Sequence, residues 1–185
     1  KVQINTFHSF CHKVIRENKD VFSGFLELEM ADDIDIHEVL VDLIDALPMN
    51  HELKRNTGER HYDVGRLKSL FEIMKKENYS DEFLLKMNQD YKTSLKEDPE
   101  YFHKKGEFKG QVSDKKVNDE MDKYHFSLNA APLIHEYNKR LRERGLIDFN
   151  DAINMVIEAL RSNEDLKLRY QEQYQHILTD EYQDT

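Results

Sequence analysis

The sequence predicts a mainly α fold, and three observations carry that expectation. Apolar residues recur at helical spacing in segment after segment. Residues that start or stop helices, such as Pro48, Ser80, Pro99, Ser113, Pro132 and Gly145, fall between those segments. The only β-prone runs lie at the two ends of the chain.

Taken in order, Val2–Thr6 reads as a short strand. Phe7, Phe10, Cys11, Val14 and Ile15 then fall at i, i+3, i+4, i+7 and i+8, one apolar face of a helix. Glu17 to Asp35 is acidic and irregular, anchored by Phe22, Phe25 and Leu26. Val39, Leu40, Leu43, Ile44 and Leu47 mark a second helix, which Pro48 stops because its ring cannot continue the ladder. Asn50 to Tyr62 is polar and reads as a loop. Val64, Leu67, Leu70, Phe71 and Met74 give a third helix.

Ser80 is placed to cap a fourth helix, with Phe83, Leu84, Met87, Tyr91 and Leu95 inward and an end near Pro99. Tyr101 to Gln111 reads as a connector. Ser113 is placed to cap a helix through Val117, Met121 and Tyr124. Pro132 opens another, with Leu133, Ile134, Tyr137 and Leu141 on one face and Gly145 past its end. Asp148 caps the next, with Ile153, Val156, Ile157 and Leu160 inward. Leu166 and Tyr170 mark a last short helix, and Ile177 onward reads as a terminal strand.

Composition narrows the function classes. With one cysteine, Cys11, no intramolecular disulfide is possible, and a reducing cytoplasm is expected. No apolar run approaches the ~20 residues that span a bilayer, so no membrane partner is expected. The formal net charge of −10 argues against a nucleic-acid binder taken as a whole, although a total can conceal local patches. Lys1 and the strand-like Val2–Thr6 suggest that both ends are cut from within regular structure.

The chemistry concentrates in three segments. Ile177-Leu178-Thr179-Asp180-Glu181-Tyr182-Gln183-Asp184-Thr185 drives an apolar run into adjacent carboxylates, the arrangement that holds magnesium at the end of a strand in phosphoryl-transfer sites. Thr6-Phe7-His8-Ser9-Phe10 and Leu146-Ile147-Asp148-Phe149-Asn150-Asp151 are the other two. In order and spacing the three resemble the TFHS, hydrophobic-D-F-x-D and DEFQDT segments of UvrD/Rep/PcrA-type superfamily 1 DNA helicases, with Tyr182 in place of Phe.

The resemblance implies a fragment of an ATP-dependent 3′-to-5′ DNA helicase of repair or replication. Residues 1–11 and 146–185 would be remnants of its first RecA-like α/β domain, 1A, the second ending in Walker B. Residues 12–145 would be the helical 1B accessory subdomain inserted between them. Carried over position by position, Asp180 would hold Mg2+, Glu181 would deprotonate the attacking water, and Gln183 would couple the nucleotide to the DNA site. Thr6, Phe7, His8 and Ser9 would lie beside single-stranded DNA, where hydroxyl and imidazole groups suit phosphates and a ring can stack on a base. ATP and Mg2+ belong to the full-length enzyme. No G-x-x-x-x-G-K-[ST] occurs in the 185 residues, so the chain alone is expected to bind neither and to lack ATPase activity.

Each of these segments also has a plain structural reading. Phe10 fits the apolar stripe and reads as core, which leaves His8 as the better contact. Asp148 has an adequate role as an N-cap. His8, Cys11 and His12 lie close along one helix, but no second ligand cluster completes a zinc site. Lys104, Lys105 and Lys109, interleaved with Tyr101, Phe102, His103 and Phe108, either touch duplex DNA or sit in a solvated connector. Lys139 to Arg144 reads as a helix end favouring cations. Two other readings compete: a helicase–nuclease of the AddA or RecB type, and a non-enzymatic, acidic helical module that binds protein partners.

Overall fold

The computed structural model describes residues 3–25, 27–54 and 61–180. It is mainly α, and the chain divides into two compact units: Lys1–Glu27 with Asp151–Thr185, and Leu28–Asn150.

The smaller unit is built on α1 (Phe7–Glu17), the body of α8 (Phe149–Ser162) and α9 (Glu164–Gln173). Cys11 and Val14 of α1 pack with Phe22, Val156, Leu166 and Tyr170. Phe10 sits against this core with its ring edge-on to Tyr170 and Tyr174. The core reading of Phe10 therefore holds, while Phe7 is 58% exposed. A buried polar joint ties the ends of α1 and α9. Asn18 donates to the Val14 carbonyl at 2.7 Å and to the Tyr170 hydroxyl at 2.9 Å, and it accepts from Arg169 at 2.8 Å.

The larger unit holds α2 (Asp33–Ala46), α3 (Val64–Lys76), α4 (Asp81–Glu97), α5 (Asp114–Met121), α6 (His125–Ala130) and α7 (Ile134–Glu143). Its core joins Val39, Leu40, Leu43 and Ile44 of α2 to Leu67, Phe71 and Met74 of α3 and to Ile134, Tyr137 and Leu141 of α7. Fully burying a side chain of this size contributes about 1.5–3 kcal/mol. Asp32 and Asp35 form a capping box at the start of α2, an acidic signal within the stretch that reads as irregular in the sequence. At the other end of α2, Lys54 Nζ donates to the carbonyls of Asp45 and Leu47, both at 2.7 Å, and so satisfies acceptors the helix cannot.

The strands differ from expectation. Residues 3–6 and 176–179 lie in no helix or strand. Ile4, Ile177 and Leu178 are 94%, 77% and 99% exposed, and a strand without a hydrogen-bonded neighbour does not persist. The strands present among the described residues are instead β1 (Glu29–Met30) and β2 (Leu146–Ile147), paired in parallel with Glu29 opposite Leu146 and Met30 opposite Ile147. Gly145 leads into β2 at φ +71°, a conformation that disfavours any side chain, and its carbonyl accepts from Glu29 N at 2.8 Å.

Two helical stripes need correction. On α4, Phe83 and Met87 are 43% and 49% exposed, and only Leu95 among the expected apolar positions is buried. Phe83 stacks on Tyr79 at the surface, 4.9 Å between centroids. On α8, Val156 and Ala152 are buried while Ile157 is 38% exposed.

Candidate functional site

The start of α1 carries Thr6, Phe7, His8 and Ser9. Thr6 and Ser9 form a reciprocal capping box: Ser9 N donates to Thr6 Oγ1 at 3.2 Å, and Thr6 N donates to Ser9 Oγ at 2.9 Å. Both hydroxyls thus complete the helix end. All four residues are exposed, so the segment presents a ring, an imidazole and a capped helix start to solvent.

Asp180 is exposed at the end of the apolar run, while Glu181 and Gln183 lie outside the described residues. Of the expected nucleotide-site set, the structure therefore places Asp180 alone. A solvent-facing carboxylate is a suitable hard oxygen ligand for Mg2+.

The basic stretch is a hairpin with a built base. Asp98 caps the short turn Pro99–Tyr101, accepting from Glu100 N at 2.8 Å. Phe102 then bridges Val112 in antiparallel fashion, His103 N donates to the Gln111 carbonyl at 2.9 Å, and Gly110 N returns to the His103 carbonyl at 3.0 Å. Gly106 and Gly110, at φ +86° and +82°, let the chain reverse. Lys116 Nζ donates to the carbonyls of Glu100 and Phe102 at 2.7 and 3.1 Å, so this lysine clamps the base.

The tip is different. Lys104, Lys105 and Lys109 are exposed, and their ammonium groups make no hydrogen bond or ion pair among the described residues. Phe108 stands among them at 56% exposure, its ring 5.9 Å from that of His103. Phe108 therefore does not pack inward at this tip.

A polar cluster supports the base of this hairpin. Desolvation, with Tyr124 and Glu120 beside it, pushes the Tyr91 phenol up to about 12. Desolvation also raises Tyr101, and Glu120 adds to the effect. The hydrogen bond from Lys123 holds Glu120 below the usual carboxylate range.

Sequence reasoning missed the buried ion pair between Lys75 and Asp148, with Nζ and Oδ2 2.5 Å apart. The Lys75 side chain is 5% exposed and its ammonium lies 4.8 Å from the Tyr137 ring centroid; the Tyr137 hydroxyl reaches Asp148 at 3.4 Å. A signal was present: Lys75 falls on the same stripe as Leu67, Phe71 and Met74, where a lysine must be buried or break the pattern. Asp148 immediately precedes α8, where the sequence reading placed an N-cap; its side chain is seen in this ion pair and in the contact with the Tyr137 hydroxyl.

Compared with known families, the UvrD/REP helicase N-terminal domain matches over residues 1–185. The chain belongs to that family. Among relatives of this UvrD/REP domain, the ATP-dependent DNA helicase UvrD1 of Mycobacterium leprae is 22% identical over 182 residues, covering 98% of this chain and 18% of that protein. A protein named "Probable DNA helicase II homolog" from Mycoplasma genitalium is 25% identical over 185 residues, covering 100% of this chain and 21% of the relative. An ATP-dependent helicase/nuclease protein of Clostridium novyi is 37% identical over 73 residues, 37% of this chain and 6% of that protein. Where it aligns end to end, this UvrD/REP domain spans about a fifth of the length of its curated relatives. No solved structure matches it. Among the described residues no helix is long and apolar enough to cross a membrane.

Proposed function

We propose that this chain is part of the motor of an ATP-dependent 3′-to-5′ DNA helicase that unwinds duplex DNA in repair or replication. The observation that carries the reading is the UvrD/REP helicase N-terminal domain match along the whole chain. Residues 1–11 and 146–185 are assigned to RecA-like domain 1A and residues 12–145 to the 1B accessory subdomain. The structural division at 27/28 and 150/151 is of the same kind, with a discontinuous unit flanking a continuous one.

In this reading Asp180 is an oxygen ligand of Mg2+, which when bound neutralises phosphate charge. Glu181 accepts a proton from the water that attacks the γ-phosphate, and Gln183 links the nucleotide to the DNA site. The exposed ring of Phe7 and imidazole of His8 meet single-stranded DNA, flanked by the capped Thr6 and Ser9. Lys104, Lys105 and Lys109 meet the duplex backbone, where each phosphate neutralised releases counterions. The 185 residues hold no phosphate-binding loop motif, so on their own they hydrolyse no ATP and bind DNA weakly.

The deciding experiment is DNA-stimulated ATP hydrolysis by the full-length parent. Glu181→Gln keeps the shape of the side chain but cannot accept the proton, so the rate is expected to fall by about 10²-fold or more while ATP binding persists. Asp180→Ala is expected to weaken magnesium-dependent nucleotide affinity as well. A Glu181→Gln enzyme turning over at a near-normal rate removes the Walker B assignment.

A second reading, a combined helicase–nuclease, is supported by the local match to the Clostridium novyi protein. It requires the full-length parent to cut DNA as well as unwind it, and a nuclease assay separates the two.

A further inference from the structure

Outside these segments, three metal-ligating side chains from two different helices meet in the larger unit. Asp81 and Glu82 are the first two residues of α4, and His135 is the second residue of α7. Their ligand atoms all lie within 4.8 Å of one another. Asp81 Oδ1 and His135 Nε2 are 3.0 Å apart. With bonds of about 2.0–2.1 Å to a zinc-like ion, adjacent ligands stand roughly 2.9–3.4 Å apart, so this pair already has the spacing of one edge of a coordination sphere.

Acids at a helix start are ordinary, because the helix dipole favours them there. Three further facts set this place apart. Glu82 brings a second carboxylate oxygen to within 4.8 Å of the Asp81 and His135 ligand atoms, so two carboxylates face one point where a cation would be favoured. His135, brought in from a helix distant in sequence, adds an imidazole with a 68% exposed side chain, leaving room for water ligands. On the same helix, Asn138 Oδ1 is buried with no hydrogen-bond partner among the described residues, and it lines a shallow cavity beside His135 together with Lys139, Arg142 and Glu143. Lys139, one turn along, is itself paired with Glu136 and Glu143.

We propose that Asp81, Glu82 and His135 form a binding site for a divalent transition-metal ion of the zinc class, with water completing the coordination. The donor set selects the class. One imidazole with two carboxylates suits zinc better than magnesium, which prefers oxygen and retains its waters, and better than cuprous copper, which prefers sulfur. The ion would take the place of the direct His135 Nε2 to Asp81 Oδ1 contact, with each group turned to it as a ligand. The ion would fasten the start of α4 to α7. The far end of α4 leads, through the Pro99–Tyr101 turn, into the lysine-bearing hairpin.

The test is titration of zinc chloride into the chelator-treated protein, followed by calorimetry and by thermal unfolding. One ion is expected to bind, and Tm is expected to rise with zinc concentration. Glu82→Gln and His135→Ala, both at exposed positions, should each weaken binding by more than about 10-fold, since even the loss of a group that only supports a ligand costs about 10–100-fold. His8→Ala serves as a control and should leave binding unchanged. Absence of zinc binding, or equal affinity in Glu82→Gln, His135→Ala and the unaltered protein, overturns the proposal. Because Glu82 is exposed and its amide analogue keeps the side-chain shape, loss of binding there cannot be ascribed to loss of the fold.

Discussion

The larger unit handles lysine charge in two opposite ways. At Lys75 the ammonium is sealed in the interior, paired with Asp148 and bordered by the Tyr137 ring. At the hairpin tip, the ammonium groups of Lys104, Lys105 and Lys109 stand in water with no partner among the described residues. A buried charge is already committed to a partner inside the fold, and removing that partner leaves an unfavourable orphan. An exposed charge remains available to a ligand. Similar residue types therefore carry integrity in one place and recognition in the other, and substitutions should separate the two.

The largest expected effect is at the buried pair. Lys75→Met leaves Asp148 buried without its cation and should destabilise the protein by about 3–5 kcal/mol in urea unfolding. Combining it with Asp148→Leu should recover most of that loss, since an apolar pair needs no compensation. A cost below about 0.5 kcal/mol for Lys75→Met alone would erase the contrast with the surface lysines.

The hairpin should behave in reverse. Changing Lys104, Lys105 and Lys109 together to Gln should leave stability within about 0.5 kcal/mol per site. Duplex binding should weaken, and the slope of log K against log salt should fall by about 0.9 for each phosphate no longer neutralised. Binding titrations at several salt concentrations measure both quantities. An unchanged slope would return the hairpin to a plain connector.

A third variant sharpens the comparison at the start of α1, where polar groups serve the fold while facing solvent. Thr6→Ala removes one arm of the capping box and should cost about 1 kcal/mol of stability. The smallest effect concerns a buried ionisable group, the Cys11 thiol. Burial pushes the Cys11 thiol up. A group whose folded pKa is raised contributes stability below its unfolded pKa and loses it as pH climbs toward the folded value. Cys11 should thus resist alkylation at a pH where an unfolded chain reacts, with reactivity appearing only on the alkaline side. Rapid labelling of the folded protein at about pH 8, near the ordinary thiol pKa, would show that the thiol is not sealed.

The helical architecture was legible because amphipathic spacing is a local signal. Leu67, Phe71 and Met74 declare one face whatever they pack against. What failed was the partner-dependent part. The strands expected at Val2–Thr6 and from Ile177 onward are β-prone, but a strand exists only through a neighbour, and their described residues, 3–6 and 177–180, lie in no strand. The real strands, two residues each, are too short to leave a pattern. Phe83 and Met87 satisfy helical periodicity and still face solvent, because periodicity marks a face without saying that anything covers it. The site residues divide in the same way. The hairpin lysines were visible as a basic run, whereas the meetings of Lys75 with Asp148 and of Asp81 with His135 span more than fifty positions, and no local rule pairs them.

The pairing of β1 with β2 has a kinetic consequence. Glu29 and Leu146 are separated by over a hundred positions, and bringing such distant points together costs about 4 kcal/mol of chain entropy. A backbone hydrogen bond returns only about 1 kcal/mol net, and this ladder has few. The clasp cannot nucleate folding; it can close only after α2, α3 and α7 have packed and drawn both strands into place. It should therefore form late, and a mutation that weakens it should speed unfolding while leaving the folding rate nearly unchanged.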